Sequence, residues 1–427
     1  MATTSPAADF TAAAPAASAG AARAAAHPTA HQPAHQPARA GTRDPRLDFY
    51  RGIAMFIILV AHVPTNPWAG WIPARFGFSD ATEIFVFCSG MASAIAFGGA
   101  FARMGWALGT ARVLYRIWQV YWAHICLFFF VAMTMAALDS YGDFAVRYVA
   151  ELNLVPFFTD PMAQIVGLFT LSYVPNYFDI LPMYLGVLAL MPLMMALARI
   201  GTWAVAAASI AIWAVAQTGA LALPAEPWSD RQWFFNPFGW QLLFFTGFAF
   251  MRGWLPAPPV SRALVWLAAG FLLVSAPFGS WKVLMWLQAA APDLAEAIAR
   301  TWPATEGLRD KTEFGLLRFA HFLALAYLGW VAVGPRGARL VAPGDGPGAQ
   351  ARRALVTVIT KVGQQSLAVF VFSMALARLI GFALDQIGRN SATVALANLT
   401  GFALIIGCAY MAGWFKSQPW KVRKNAC

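Results

Sequence analysis

The stretch Arg46-Leu47-Asp48-Phe49-Tyr50-Arg51-Gly52-Ile53-Ala54-Met55-Phe56-Ile57-Ile58-Leu59-Val60-Ala61-His62 carries its charges at one end, then runs apolar from Ile53 to Ala61 and closes on histidine. Its length and composition predict a helix across a hydrocarbon layer of roughly 30 Å, and Pro64 ends it. At 100° per residue, Arg51 and His62 lie about three turns and 20° apart, on one face and about 16 Å apart along the axis. Ionisable residues in an apolar helix are costly and are functional candidates for that reason. A histidine hydrogen-bonded at the interface, with Arg46 and Arg51 anchoring the helix end, accounts for the same residues without chemistry.

The pattern repeats outward along the chain. Apolar runs predict helices near 47–63, 83–101, 112–138, 177–198, 202–223, 238–254, 262–278, 316–333, 364–384 and 393–415. The expected fold is all-α: a polytopic integral membrane protein of about ten transmembrane helices. The run 163–174 is too short to span and reads as re-entrant or interfacial, and 281–298 as a surface segment. Composition agrees, since 59% of the 427 residues are hydrophobic and 11% charged, against roughly 25% charged in a soluble domain. A soluble enzyme of this size is thereby excluded.

The net charge of +11 comes from Lys and Arg spread between apolar runs, which speaks for topology and against nucleic acid as a partner. With the N-terminus inside, the tail and cytoplasmic loops hold most of the Lys and Arg but, of the acids, only Asp9, Asp44, Asp48 and Asp345. The positive-inside rule then places both termini in the cytoplasm. Residues 1–43 are Ala/Pro/His-rich with no signal-peptide core and read as a disordered cytoplasmic tail. Residues 44–415 form the transmembrane domain, and 416–427 a basic cytoplasmic tail. The four cysteines show no metal spacing; prolines between His27, His31 and His35 oppose the helix that metal binding there would need. No metal or resident cofactor is expected.

Helix 2 opens Ser79-Asp80-Ala81-Thr82-Glu83. Asp80 and Glu83 have capping-box spacing, and both lie at the same membrane side as His62, where a carboxylate could orient the imidazole. Helix 3 opens with Arg112 and Arg116, one turn apart at the cytoplasmic rim, a pair suited to phosphate or to anchoring.

Together, Arg51-x10-His62, Glu83-Ile-Phe-Val-Phe-Cys-Ser-Gly90 and Arg112-x3-Arg116-Ile resemble membrane acyltransferase family 3, although Leu114 and Tyr115 stand where that family often has Phe. Five further stretches resemble the OpgC proteins, succinyltransferases of osmoregulated periplasmic glucans: Arg46–Gly52, Trp118–Trp122, Asn176–Pro182, Asn236–Gln241 and Gly363–Leu367. The likeness runs from about Asp44 to about residue 415. It implies a bacterial inner-membrane enzyme, succinyl-CoA as co-substrate and a periplasmic glucan as acceptor. It also implies His62 as general base with Glu83 or Asp80 as its orienting acid. Arg46, Arg51, Arg112 and Arg116, with Gln119, would hold the donor. Asn176, Asp179, Trp240 and Gln241 would meet the acceptor.

A succinyl donor brings a negative charge, which Arg318, His321 or Arg378 could receive; ion pairs of these arginines with Glu313 or Asp385 are the alternative. Cys88 and Ser89 are conceivable nucleophiles, but direct transfer needs fewer assumptions. Acetylation of lipopolysaccharide or exopolysaccharide fits the same residues. A transporter fits less well, because the two halves show no internal repeat. Oligomeric state is not legible in the sequence.

Overall fold

The computed structural model describes residues 44–142 and 144–421. The expected N-terminal tail, with His27, His31 and His35, lies outside the described residues. So do residues 422–427. The described chain is all-helical apart from one antiparallel bridge between Pro224 and Gln232.

In chain order the helices are α1 Pro45–His62, α2 Ala81–Ser93, α3 Gly99–Tyr141, α4 Tyr148–Glu151, α5 Val155–Thr159, α6 Pro161–Thr170, α7 Ile180–Leu197, α8 Thr202–Ala216 and α9 Pro237–Arg252. There follow α10 Arg262–Gly279, α11 Trp281–Ala290, α12 Pro292–Thr301, α13 Glu306–Arg309, α14 Leu316–Val333, α15 Pro347–Gln364, α16 Ser366–Ile387 and α17 Ser391–Ser417. Among the described residues, six stretches, with α2 and α3 taken as one, are long and apolar enough to cross a membrane.

Local chemistry sets the helix ends. Asp44 caps α1, its side chain accepting from the Arg46 amide, with Pro45 in the first turn, where proline's missing N–H costs nothing. Asp80 and Glu83 make both halves of the capping box on α2, as their spacing predicts. Asn236 caps α9 ahead of Pro237.

Every expected apolar run carries a helix, with some boundaries shifted and one helix added. Helices 2 and 3 are continuous through a π turn at Ala94–Gly98, with a kink at Gly105, whose φ of 78° only glycine adopts cheaply. The helix read to 223 stops at Ala216, and Gly219 follows at φ 76°. The one read from 177 starts at Ile180, because Tyr177 has φ 90°. The basic, amphipathic α15 stands where a loop was expected, since Arg352, Arg353 and Lys361 keep it out of any search for apolar runs.

Close backbone approach holds the centre together. A Cβ on Gly363 of α15 would lie 1.8 Å from the Asp48 carbonyl oxygen of α1, and one on Gly52 2.0 Å from that of Ile359. Gly90 of α2 and Gly247 of α9 form a second such crossing, against the carbonyls of Phe244 and Phe87. Small residues that let backbones meet are the usual means of helix packing in lipid, where apolar burial gives little advantage. The first crossing joins two of the OpgC-like stretches.

Candidate functional site

The expected alignment along α1 has a structural counterpart. At one end Arg51 donates through Nη2 to Ser366 Oγ at the start of α16, and its charge reaches Cys88 of α2. At the other, the His62 ring meets Tyr177 edge to face, with centroids 5.4 Å apart. Tyr177 donates to the Met374 carbonyl of α16 at 2.5 Å. Arg389, just beyond α16, donates to the Pro64 carbonyl at 2.7 Å. The face of α1 bearing Arg51 and His62 is therefore flanked by α2 and the start of α16 at the Arg51 end and by Tyr177, itself tied to α16, at the His62 end.

His62 is half-buried. Its Nδ1 lies 2.7 Å from the Ile58 carbonyl oxygen. A carbonyl can only accept, so Nδ1 carries the proton and Nε2 the lone pair. The carboxylates expected to orient the ring are engaged elsewhere. Glu83, fully buried, accepts from Arg318 Nη1 at 2.5 Å and from the Asp80 amide at 2.7 Å. Asp80 pairs with Lys311 at 2.5 Å. Burial opposes ionisation of Asp80, but the Lys311 ammonium outweighs it and holds the carboxyl below its ordinary range. The imidazole is oriented by its own helix, and the charges of Lys311, Asp80 and Arg378 act on it through space.

Of the residues expected to meet an anionic acyl group, Arg318 pairs with Glu83 in the first turn of α2 and His321 faces the segment ahead of that helix. His321 Nδ1 lies 2.7 Å from Ser79 Oγ, and Gly77 packs so closely that a Cβ there would lie 2.2 Å from His321 Nε2. Arg378 pairs with Glu151 and lies 5.7 Å from the Tyr177 ring centroid. Neither arginine takes the partner considered for it from sequence. Glu313 accepts from Asn236 Nδ2 at 2.7 Å, and Asp385 pairs with Arg389.

The expected donor residues divide. Arg46 pairs with Asp44 at 2.6 Å and lies 3.4 Å over the Trp330 ring. Arg116 donates to Gln119 Oε1 at 3.2 Å, and Arg112 is exposed.

The expected acceptor residues are mostly inside. Trp240 has no exposed surface and donates through Nε1 to the Lys311 carbonyl at 2.8 Å. Gln241, equally buried, accepts from Ser209 Oγ at 2.7 Å and donates to its carbonyl at 2.7 Å. Asp179 is buried and accepts from the Phe234 amide, while the exposed Asn176 accepts from Arg231. What the Asn236–Gln241 stretch visibly does is brace the segment carrying Lys311. The Asn236 amide donates to the Thr312 carbonyl, and Gln217 Nε2 and Trp213 Nε1 hold the carbonyls of Glu313 and Phe314.

Reasoning from sequence missed Lys311, Arg309 and the ring of Tyr177. Tyr177 lay within a stretch already singled out; the other two lie in a polar segment between apolar runs with no local signal. No match was found among curated proteins or solved structures. Residues 43–417 match the profile of the OpgC protein family over nearly the whole chain, and the chain belongs to that family.

Proposed function

We propose that this chain is a transmembrane O-acyltransferase of membrane acyltransferase family 3. It moves a succinyl group from cytoplasmic succinyl-CoA to hydroxyls of osmoregulated periplasmic glucans. On this reading about ten helices span the bacterial inner membrane, with both termini in the cytoplasm.

The observation that carries the chemistry is the state of His62. With Nδ1–H committed to the Ile58 carbonyl, Nε2 is the basic nitrogen, and the ring is only half-buried. A general base needs its lone pair aimed at the substrate and its other nitrogen held. Here the helix backbone does the holding. The acceptor hydroxyl gives its proton to Nε2 as its oxygen attacks the thioester carbon. The carbon–sulfur bond then breaks, and the thiolate leaves as CoA after taking up that proton. Arg51, on the same face three turns away, marks the donor's path, and Arg112 and Arg116, with Gln119, supply contacts for its phosphates. Family membership supports the glucan acceptor and the succinyl donor.

The test is mass spectrometry of periplasmic glucans from a deletion strain complemented with wild type or His62→Ala. Succinylated glucan with wild type and none with normally inserted His62→Ala is expected. Unmodified glucan with wild type would overturn the acceptor and redirect attention to lipopolysaccharide and exopolysaccharide. Full succinylation by His62→Ala would overturn the role of the base.

A further inference from the structure

A cleft of about 250 Å³ opens between the approach to α2 and the segment running from α13 into α14. Phe78 and Gly279 form its apolar wall, and Asp80, Arg309, Lys311 and Arg318 its charged one. The volume is below the roughly 300–1,000 Å³ of drug-sized ligand sites, which suits a short chain. Cations exceed carboxylates here. Lys311 is matched by Asp80 and Arg318 by the buried Glu83. Arg309 is held by neutral groups: Nη2 donates to the Trp302 carbonyl at 2.7 Å and Nε to Thr305 Oγ1 at 3.2 Å. Among the described residues no carboxylate forms an ion pair with it, although Glu306, on the same short helix, acts on it through space. The cleft thus holds one positive charge beyond its own acids, and Lys311 also acts on His62.

We infer that this cleft is a carboxylate subsite, in which Arg309 and Lys311 receive a carboxylate carried by a substrate while Phe78 lies along its methylenes. The inference rests on the acyltransferase reading and names residues that reading does not. The carboxylate could be the far end of the donor's acyl chain or one already attached to the acceptor; either is the chemistry this cleft recognises. Lys311 and Arg318 are held in place by Asp80 and Glu83, so their N–H groups are pre-oriented and lose little side-chain freedom when an anion arrives.

The experiment uses full-length protein in proteoliposomes and compares succinyl-CoA with butyryl-CoA, which has the same four-carbon chain without the charge. The acceptors are neutral glucan and glucan already carrying succinyl groups. For Arg309→Gln, the kcat/KM ratio of succinyl to butyryl should fall at least tenfold, with Arg309→Lys recovering most of the loss. That outcome places the donor's carboxylate in the cleft. An unchanged donor ratio with a tenfold loss of preference between the two acceptors places the acceptor's carboxylate there. If wild type is active and Arg309→Gln and Lys311→Gln move neither ratio, the subsite is wrong and the acyltransferase reading stands. If wild type transfers neither acyl group to either glucan, that reading fails and the subsite falls with it.

Discussion

Replacing Arg318 by glutamine removes the partner of a carboxylate that has no access to solvent. The Glu83 side chain is 0% exposed and that of Arg318 11%, with Nη1 and Oε1 2.5 Å apart. Breaking a buried pair by deleting one member costs about 3–5 kcal/mol, because the remaining charge is stranded. Two unit charges about 4 Å apart at an effective dielectric constant near 20 interact by about 4 kcal/mol, the same order. Adding Glu83→Gln to Arg318→Gln removes the stranded charge and keeps an oxygen to accept the Asp80 amide. Neutral replacement of a whole buried pair is often close to neutral, so the double variant should recover most of the loss. The assay is equilibrium unfolding of the purified protein in mixed micelles, run as a full double-mutant cycle. The single Glu83→Gln variant should cost less than Arg318→Gln, since the guanidinium it strands borders the cleft. A double variant no more stable than Arg318→Gln would refute the reasoning.

Three further outcomes follow from the packing and the charges. Gly363→Leu should abolish the α1–α15 crossing, because even its Cβ would lie 1.8 Å from the Asp48 carbonyl oxygen; loss of folded protein by size-exclusion chromatography checks this, and normal elution would contradict it. Trp240→Phe keeps one six-membered ring but removes the bond to the Lys311 carbonyl and leaves a void where the rest of the fully buried indole stood. A stability loss exceeding the hydrogen bond's own share of about 1 kcal/mol is therefore expected in chemical denaturation, with a change in donor preference if the segment shifts. Glu313 is raised from 4.5 to about 7 by burial and by Asp310. The folded state therefore holds its proton more tightly than the unfolded one, and this group's stabilising effect is full below about pH 4.5 and declines as pH rises towards 7. Thermal unfolding of Glu313→Gln should show a flatter pH dependence than wild type across that window, and identical slopes would count against it.

The helical class and the positions of the apolar helices were legible in the sequence because hydropathy over a span is a local property. The cap on α2 was legible for the same reason: Asp80 and Glu83 are three residues apart and satisfy one another's backbone donors. The alignment of Arg51 with His62 follows from helix geometry alone. What local reading could not supply was the pairing of charges across the fold. Glu83 meets Arg318 and Asp80 meets Lys311 over more than 200 residues of chain, and no periodicity encodes such distances. The carboxylates nearest His62 in the sequence pattern, Asp80 and Glu83, are committed to other partners, and the Ile58 carbonyl, four residues back on the same helix, holds the imidazole. In the same way, Trp240 in a distinctive stretch suggested a sugar platform, although an indole with its N–H bonded and no exposed face cannot stack on a ligand. α15 was missed for the opposite reason. Its basic residues hide a helix whose backbone meets α1 more closely than its apolar neighbours do.

Capping and charge neutralisation need not be rival accounts of Asp80 and Glu83, because the same atoms perform both. Glu83 closes the capping box through its Oε2 and neutralises Arg318 through its Oε1. Asp80 caps α2 through Oδ1 and holds Lys311 through Oδ2. Each carboxylate thus ties a cation to a helix end, and α2 is in turn fixed to α9 by the Gly90–Gly247 crossing. The cations of the cleft consequently inherit the rigidity of the helix packing instead of depending on their own rotamers. A single additional arginine, Arg309, bound only by neutral groups, then suffices to leave the cleft one positive charge beyond its acids, while Lys311 is the cleft cation whose charge reaches His62. This division accounts for why the cleft needs both acids even though they lower its charge. Without them Arg318 and Lys311 would be unconstrained, and Arg318, at 11% exposure, would be a poorly solvated cation with no partner.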